Sequence, residues 1–260
     1  KKIRTGILFF IMMLITAAVL AVLSMQESTG KVQEKLLDLS NSGFQIESLL
    51  QDGNIEQKKM SQVEQVEGVK DAQYEMDGIG QLEDAKAVER EQAVQLDQGK
   101  MGELVSYHGV TSSNQDLNFA SGALNLKKGR ALTKDESGKV LVHEELAKEN
   151  NWTVGTKIKL KNFQNEGTTA SGKEVTVEIV GIFNGKLSEQ STGLTSDLTE
   201  NRIYMDYKTS QTLIGKDESN AIVHRAIFTV KDPSKLDEVI AKVKELPLKW
   251  DSMQLSKNEQ

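Results

Sequence analysis

The chain contains no cysteine. Disulfide frameworks, thiolate zinc sites and thiol nucleophiles are excluded, and redox compartment cannot be read from cysteine usage. Histidine is scarce: His108, His143 and His224 are the full set. No two of them stand at a metal-ligating spacing. His143-Glu144-Glu145-Leu146-Ala147 misses the helical zinc motif His-Glu-x-x-His, because Ala147 takes the place of the second ligand. His143 is expected at a strand-to-helix junction. Six Gly-Lys pairs occur, and none is followed by Ser or Thr. The hydroxyl that holds magnesium in a phosphate loop is therefore missing. Gly78-Ile79-Gly80 lacks the third glycine and the following helix of a dinucleotide fingerprint, and reads as a turn. No Gly-x-Ser-x-Gly elbow is present.

What remains is rich in carboxylates, as in Glu89–Glu91 and Asp197–Glu200. A solvated acidic face accounts for them without paired acid–base catalysis. Trp152 and Trp250 are expected partly buried beside strands. No catalytic, cofactor-binding or metal-binding residue is assigned, and the chain is not expected to be an enzyme. Net charge over 260 residues is −6. Lys1, Lys2 and Arg4 are the only charges among the first 25 residues, so the rest is more acidic still. Nucleic acid is not expected as a partner.

One stretch stands apart. Gly6 to Met25 carries no charge, and at helical rise it spans roughly 30 Å, one bilayer core. Three basic residues precede it, which puts the N-terminus in the cytoplasm and the chain after Met25 outside. A cleaved signal peptide is the competing reading. Its apolar region is shorter, about 7–15 residues, and ends in a cleavage site. A retained transmembrane helix is expected.

Beyond the span, Val32, Leu36 and Leu39 mark an amphipathic helix, Lys31–Ser40, placed as a stalk. Phe44 and Ile46 alternate as in a strand. Ile55–Val66 reads as a helix with Met60, Val63 and Val66 on one face, ended by Gly68, and Val69–Met76 as a strand. Gln81–Lys100 reads as a long loop or weak helix, Glu103–Val110 as a strand, and Thr111–Asp116 as a polar loop. Val140–Val142, Glu144–Glu149 and Lys157–Leu160 form a strand, a helix and a strand. Glu174–Phe183 alternates as one long strand, with Val175, Val177 and Ile179 on one face. Lys186–Thr199 is expected as an exposed loop. Arg202–Tyr207 is a strand and Lys208–Ile214 a short helix. The prolines, two in all, flank the last helix: Pro233 follows the cap Asp232, and Pro247 stops it. Arg225–Lys231 and Trp250–Leu255 are strands on either side. Strand–helix–strand units thus lie near both ends.

Several segments resemble the permeases of MacB-type, FtsX-like ABC transporters. Val66-Glu67-Gly68-Val69 resembles the end of the first helix in their porter-like lobe. Leu126-Lys127-Lys128-Gly129-Arg130-Ala131-Leu132 is similar to the turn before their Val-Leu-Ile-x-Glu-x-Leu-Ala strand and helix. That run reads here Val140-Leu141-Val142-His143-Glu144-Glu145-Leu146-Ala147. Val154-Gly155-Thr156-Lys157-Ile158 resembles their Val-Gly-Asp-x-Ile, with Thr156 in place of aspartate. Val177-Glu178-Ile179-Val180-Gly181-Ile182-Phe183 resembles their Val-x-Gly-Ile/Val strand.

The resemblance implies an α+β chain: an N-terminal transmembrane helix (1–25) and a two-lobed ectodomain. A split βαβ, porter-like lobe with the stalk helix takes 26–112 and 225–260. A mixed α/β, sabre-like lobe is inserted as 113–224. It further implies a bacterial cell-membrane permease with residues after 25 extracytoplasmic. The expected partners are a cytoplasmic ABC ATPase, a second permease copy or paralogue in a dimer, membrane lipid and, in some systems, an extracytoplasmic adaptor. ATP and Mg belong to the ATPase, with no cofactor in this chain. The expected function is mechanotransmission and efflux of an antimicrobial peptide, antibiotic or lipid-linked molecule. The alternative is an FtsX-like signal relay or sensor that binds a cell-wall enzyme or toxic peptide.

Overall fold

A computed structural model of the chain describes residues 42–50, 53–90, 103–163, 173–188 and 193–258, with 13 and 16 besides. The expected membrane helix, apart from those two positions, and the whole expected stalk lie outside these. Among the described residues, no helix is long and apolar enough to cross a membrane.

The strands are β1 (Gly43–Ser48), β2 (Ile55–Glu56), β3 (Val69–Glu83), β4 (Leu104–Val110), β5 (Leu124–Gly129), β6 (Lys139–His143), β7 (Lys157–Asn162), β8 (Glu174–Gly185), β9 (Arg202–Asp206), β10 (Ile222–Val223), β11 (Arg225–Val230) and β12 (Met253–Lys257). The α-helices are α1 (Gln57–Glu64), α2 (Leu117–Ala120), α3 (Glu144–Glu149), α4 (Tyr207–Leu213) and α5 (Leu236–Lys244). The chain is a mixed α/β domain. Ten strands share one sheet in the order β12-β1-β11-β3-β4-β9-β6-β8-β5, with β7 joining β3 and β8. The pairs β4–β9 and β6–β8 are parallel; the other pairs are antiparallel.

Alternation explains the layers, since successive strand residues face opposite sides. From β1, β3 and β11, the side chains of Phe44, Ile46, Ala72, Tyr74, Ala226 and Phe228 meet Met60 and Val63 of α1 and Val239, Ile240 and Val243 of α5. The rings of Phe44 and Phe228 stack with centroids 5.2 Å apart. Central strands β6 and β9 are buried on both faces. Val140, Val142, Ile203 and Met205 enter one core with Leu146, Leu160 and Ile179. Leu141 and Tyr204 enter another with Leu124, Val180 and Phe183. Two-sided burial is why these strands read as unbroken apolar runs.

The expected strand and helix around residue 140 form as anticipated, and His143 sits at their junction. Its Nδ1 accepts the Glu145 N–H at 3.2 Å, capping α3. Trp152 and Trp250 are half-buried against the cores.

Other expectations are corrected. Gly78-Ile79-Gly80 is no turn; it lies inside β3. Leu124–Gly129 is an edge strand, although all its side chains after Leu124 are exposed. Ile55 and Glu56 pair with β10 before α1 starts. Trp250 stands in a 3-10 turn that precedes β12. Thr111–Asp116 contains a 3-10 turn, Ser113–Gln115. The segment 193–201 is not an exposed loop: Thr195, Ser196, Leu198, Thr199, Glu200 and Asn201 are buried. Its polar side chains satisfy backbone groups that water would otherwise serve. The Thr195 hydroxyl donates to Leu104 O at 3.0 Å. Asn201 donates to the carbonyls of Val88 at 2.8 Å and Thr195 at 2.9 Å.

Candidate functional site

Strand β3 sends Ala72, Tyr74 and Met76 into the cores. By alternation it sends Asp71, Gln73, Glu75 and Asp77 to the other face. Strand pairing adds neighbours to this polar row. Arg225 pairs with Glu75, Ile227 with Gln73 and Thr229 with Asp71. Gln45 of β1 lies opposite Ile227, and Glu47 opposite Arg225. On the other side, His108 of β4 pairs with Asp77. The segment after β4 overhangs this floor, and Gln73 ties it down. Its amide donates to Ser112 O at 2.8 Å and its oxygen accepts the Ser112 N–H at 2.9 Å. Between floor and overhang lies a cleft of about 610 Å³. Its charged lining includes Glu75, Asp77, His108, Asp116, Arg202 and Arg225.

His108 is the centre of the charge pattern. Its Nδ1 donates to Asp77 Oδ1 at 2.7 Å. Its Nε2 lies 3.3 Å from Asp116 Oδ2 and 4.0 Å from Glu75 Oε2, without a hydrogen bond to either. Burial by itself would lower the imidazole pKa, but Asp116, Asp77 and Glu75 outweigh it and push it up to about 9. Burial would also raise Asp77, yet the His108 hydrogen bond and the charges of His108 and Arg202 bring it down to about 2. Glu75 is the reverse case. Burial raises it above the ordinary carboxylate range, only partly offset by His108 and Arg225. The Arg225 Nε lies 3.2 Å from Glu47 and 3.4 Å from Glu75. Asp116 caps α2, where its Oδ1 accepts the N–H groups of Asn118 (3.0 Å) and Phe119 (3.3 Å) and the Tyr204 hydroxyl (3.2 Å).

The histidines and acids singled out in the sequence are mostly elsewhere. His143 caps α3, and Glu200 pairs with Arg90. His224 stands near the cleft, its Nδ1 accepting the Asp77 N–H at 3.2 Å. Sequence reasoning assigned no role to Glu75, His108 or Asp116. The available signal was the period-two alternation of Asp71, Gln73, Glu75 and Asp77 against Ala72, Tyr74 and Met76.

The fold and this cleft can be set beside known proteins. Residues 5–246 match the family model described as the MacB-like periplasmic core domain. The chain belongs to this family. Its MacB-like domain is therefore a permease-type ectodomain of the MacB and FtsX kind. A relative described as the uncharacterized ABC transporter permease YclI of Bacillus subtilis (strain 168) is 29% identical over 160 residues. That alignment covers 60% of this chain and 32% of YclI, so the chain matches about a third of that relative's length. The crystal structure of the periplasmic region of MacB from Actinobacillus actinomycetemcomitans has the same fold. The TM-score is 0.53 at 13% identity, over 88% of this chain and 94% of that one. The extracellular domain of the noncanonic ABC-type transporter YknZ from Gram-positive bacteria aligns at 12% identity with a TM-score of 0.49, over 82% of this chain and 99% of that one.

Proposed function

We propose that this MacB-like domain is the moving extracytoplasmic part of a membrane permease driven by a separate cytoplasmic ABC ATPase. ATP and Mg act on that ATPase, and two permease protomers work as a dimer. Residues 1–25 form a membrane helix with its N-terminus in the cytoplasm, and the stalk around Gln26–Leu39 carries motion outward. Residues 26–112 with the stalk and 225–260 act as one lobe and 113–224 as the other. The product of the motion is extrusion of an extracytoplasmic substrate, such as an antimicrobial peptide, antibiotic or lipid-linked molecule.

Strand β3 is the observation that carries this reading beyond family membership. Its first half pairs with β11, and its second half with β4 and then β7. It contributes Tyr74 to one core and Met76 and Leu82 to the other. A stiff, doubly anchored strand of 15 residues carries displacement from one core to the other. The cleft floor rides on that same strand. Coupling of this kind needs two states that nucleotide biases.

These 260 residues hold no cysteine, so a label introduced among them has no competing thiol there. A single Lys148→Cys spin label on the exposed face of α3 reports the distance between the two ectodomains of the assembled transporter. That distance is expected to differ between nucleotide-free and ATP-bound states. An unchanged distance refutes the coupling. A nucleotide-dependent change that alters cell-wall hydrolase activity, with no substrate moved, selects the signal relay over the exporter.

A further inference from the structure

The cleft contains a buried arrangement that ectodomain movement does not require. The His108 side chain is 4% exposed, as is Asp116, and Glu75 is 5% exposed. One atom from each, Nε2 and two carboxylate oxygens, lie within 4.8 Å of one another. The Nε2 atom is fully buried, faces the two acids and makes no hydrogen bond. The acids face this atom as charges, at 3.3 and 4.0 Å, but neither makes a well-formed hydrogen bond to it, and a polar atom so incompletely satisfied at such depth is costly unless something fills the space between the groups.

We propose that Glu75, His108 and Asp116 form a binding site for a divalent first-row transition-metal cation, with zinc or manganese as its occupant. Zinc takes nitrogen and oxygen ligands at about 2.0–2.2 Å, which sets neighbouring ligand atoms of a tetrahedral shell about 3.3 Å apart. The Nε2 to Asp116 Oδ2 distance is already 3.3 Å. The 4.0 Å distance to Glu75 Oε2 closes with a small side-chain adjustment. The surroundings are arranged as around a ligating imidazole. Nδ1–H donates to a carboxylate, Asp77, which fixes the tautomer and turns the Nε2 lone pair toward the site. Asp116 is similarly held through Oδ1 by two backbone N–H groups and a hydroxyl, leaving Oδ2 for the cation. An imidazole with two carboxylates suits zinc or manganese, whereas calcium and magnesium prefer oxygen-only shells. Arg225 keeps Glu47 as a partner when Glu75 turns to the metal. The remaining coordination positions open on the cleft, where water or a bound ligand completes the shell. In the ion-free protein a protonated Nε2 faces the same two acids, so binding releases that proton to solvent.

The full chain, purified in detergent and stripped with chelator, is titrated calorimetrically with zinc chloride and with manganese chloride. One ion per chain is expected for at least one metal. His108→Gln and Asp116→Asn are each expected to weaken it tenfold or more. Glu178→Gln, half-buried on β8 between β6 and β7 and outside the cleft lining, is expected to leave it unchanged. Since a variant at a buried site can unfold, X-ray absorption on the loaded wild-type chain supplies an independent reading, expected to show one imidazole nitrogen among oxygen ligands. Failure to bind either metal stoichiometrically overturns the site. So does equal affinity in a folded His108→Gln chain, or a spectrum without imidazole.

Discussion

The ring of Tyr107 lies directly against the backbone of Gly78. The two residues pair across β3 and β4, and a Cβ added to Gly78 would stand 2.2 Å from Tyr107 Cζ. Tyr107 is buried and bonds Asn162 of β7 through its hydroxyl at 3.1 Å. A glycine here lets one ring fill the space above a strand, so the Gly-x-Gly stretch continues β3. Gly78→Ala is expected to lower unfolding free energy by about 1–3 kcal/mol through overpacking, measured by denaturant titration. Tyr107→Leu in the same background is expected to recover part of the loss, which an effect of strand propensity alone would not produce.

Asn201, the last residue of a 3-10 turn (Thr199–Asn201), fastens the irregular stretch that follows β3. It is fully buried, donates to Val88 O and Thr195 O, and accepts the Val88 N–H at 2.7 Å. Asn201→Ala takes the amide away from the Val88 N–H and C=O, while Thr195 O keeps the Leu198 N–H, and is expected to cost about 1–3 kcal/mol. Limited proteolysis is expected to cut the variant near residues 84–90 while the wild-type chain resists there.

Asp206 joins three groups that all donate. It accepts Thr209 N–H at 2.8 Å, the Thr209 hydroxyl at 2.7 Å and Lys139 N–H at 2.8 Å. Asp206→Asn keeps the shape but turns an acceptor into a donor that faces other donors. A loss of about 1–3 kcal/mol is expected, and thermal unfolding checks it. Equal stability would mean that neighbouring groups rearrange to accept the amide.

His143 makes stability depend on pH. Burial holds its pKa below the usual 6.5, and the interactions with Gly185, Glu144 and Glu145 only partly oppose that. The unfolded chain therefore takes up a proton before the folded one. The contribution of His143 is fully present above 6.5 and falls away as the pH drops through and below that value. Protonation also removes the acceptor that caps α3. His108, raised to about 9, acts in the opposite sense, so the test is a comparison: between pH 7.5 and 5 the melting temperature of the wild-type chain is expected to drop relative to that of His143→Asn, which caps without titrating.

Much of the architecture is visible in local pattern. The run Val140-Leu141-Val142 leading into Glu144–Glu149, and the alternation of Val175, Val177 and Ile179, state their elements within a few residues. Strand β5 does not, because an exposed edge strand places only Leu124 in a core and lacks an apolar face. The segment 193–201 misleads for the opposite reason. Its Thr, Ser and Asn side chains look solvent-loving, yet they are buried because distant backbone groups need their hydrogen bonds.

By itself the sequence determined the periodic elements, the charge-free run at the N-terminus, the absence of thiol and phosphate-loop chemistry, and the family resemblance. These depend on residues near one another in the chain. Tertiary structure alone decided the cleft. Glu75 and Asp77 come from β3, His108 from β4, Asp116 from the cap of α2 and Arg225 from β11. Strand pairing selects which of the many acidic residues stand together. Burial then gives those few groups interactions that water screens for the rest.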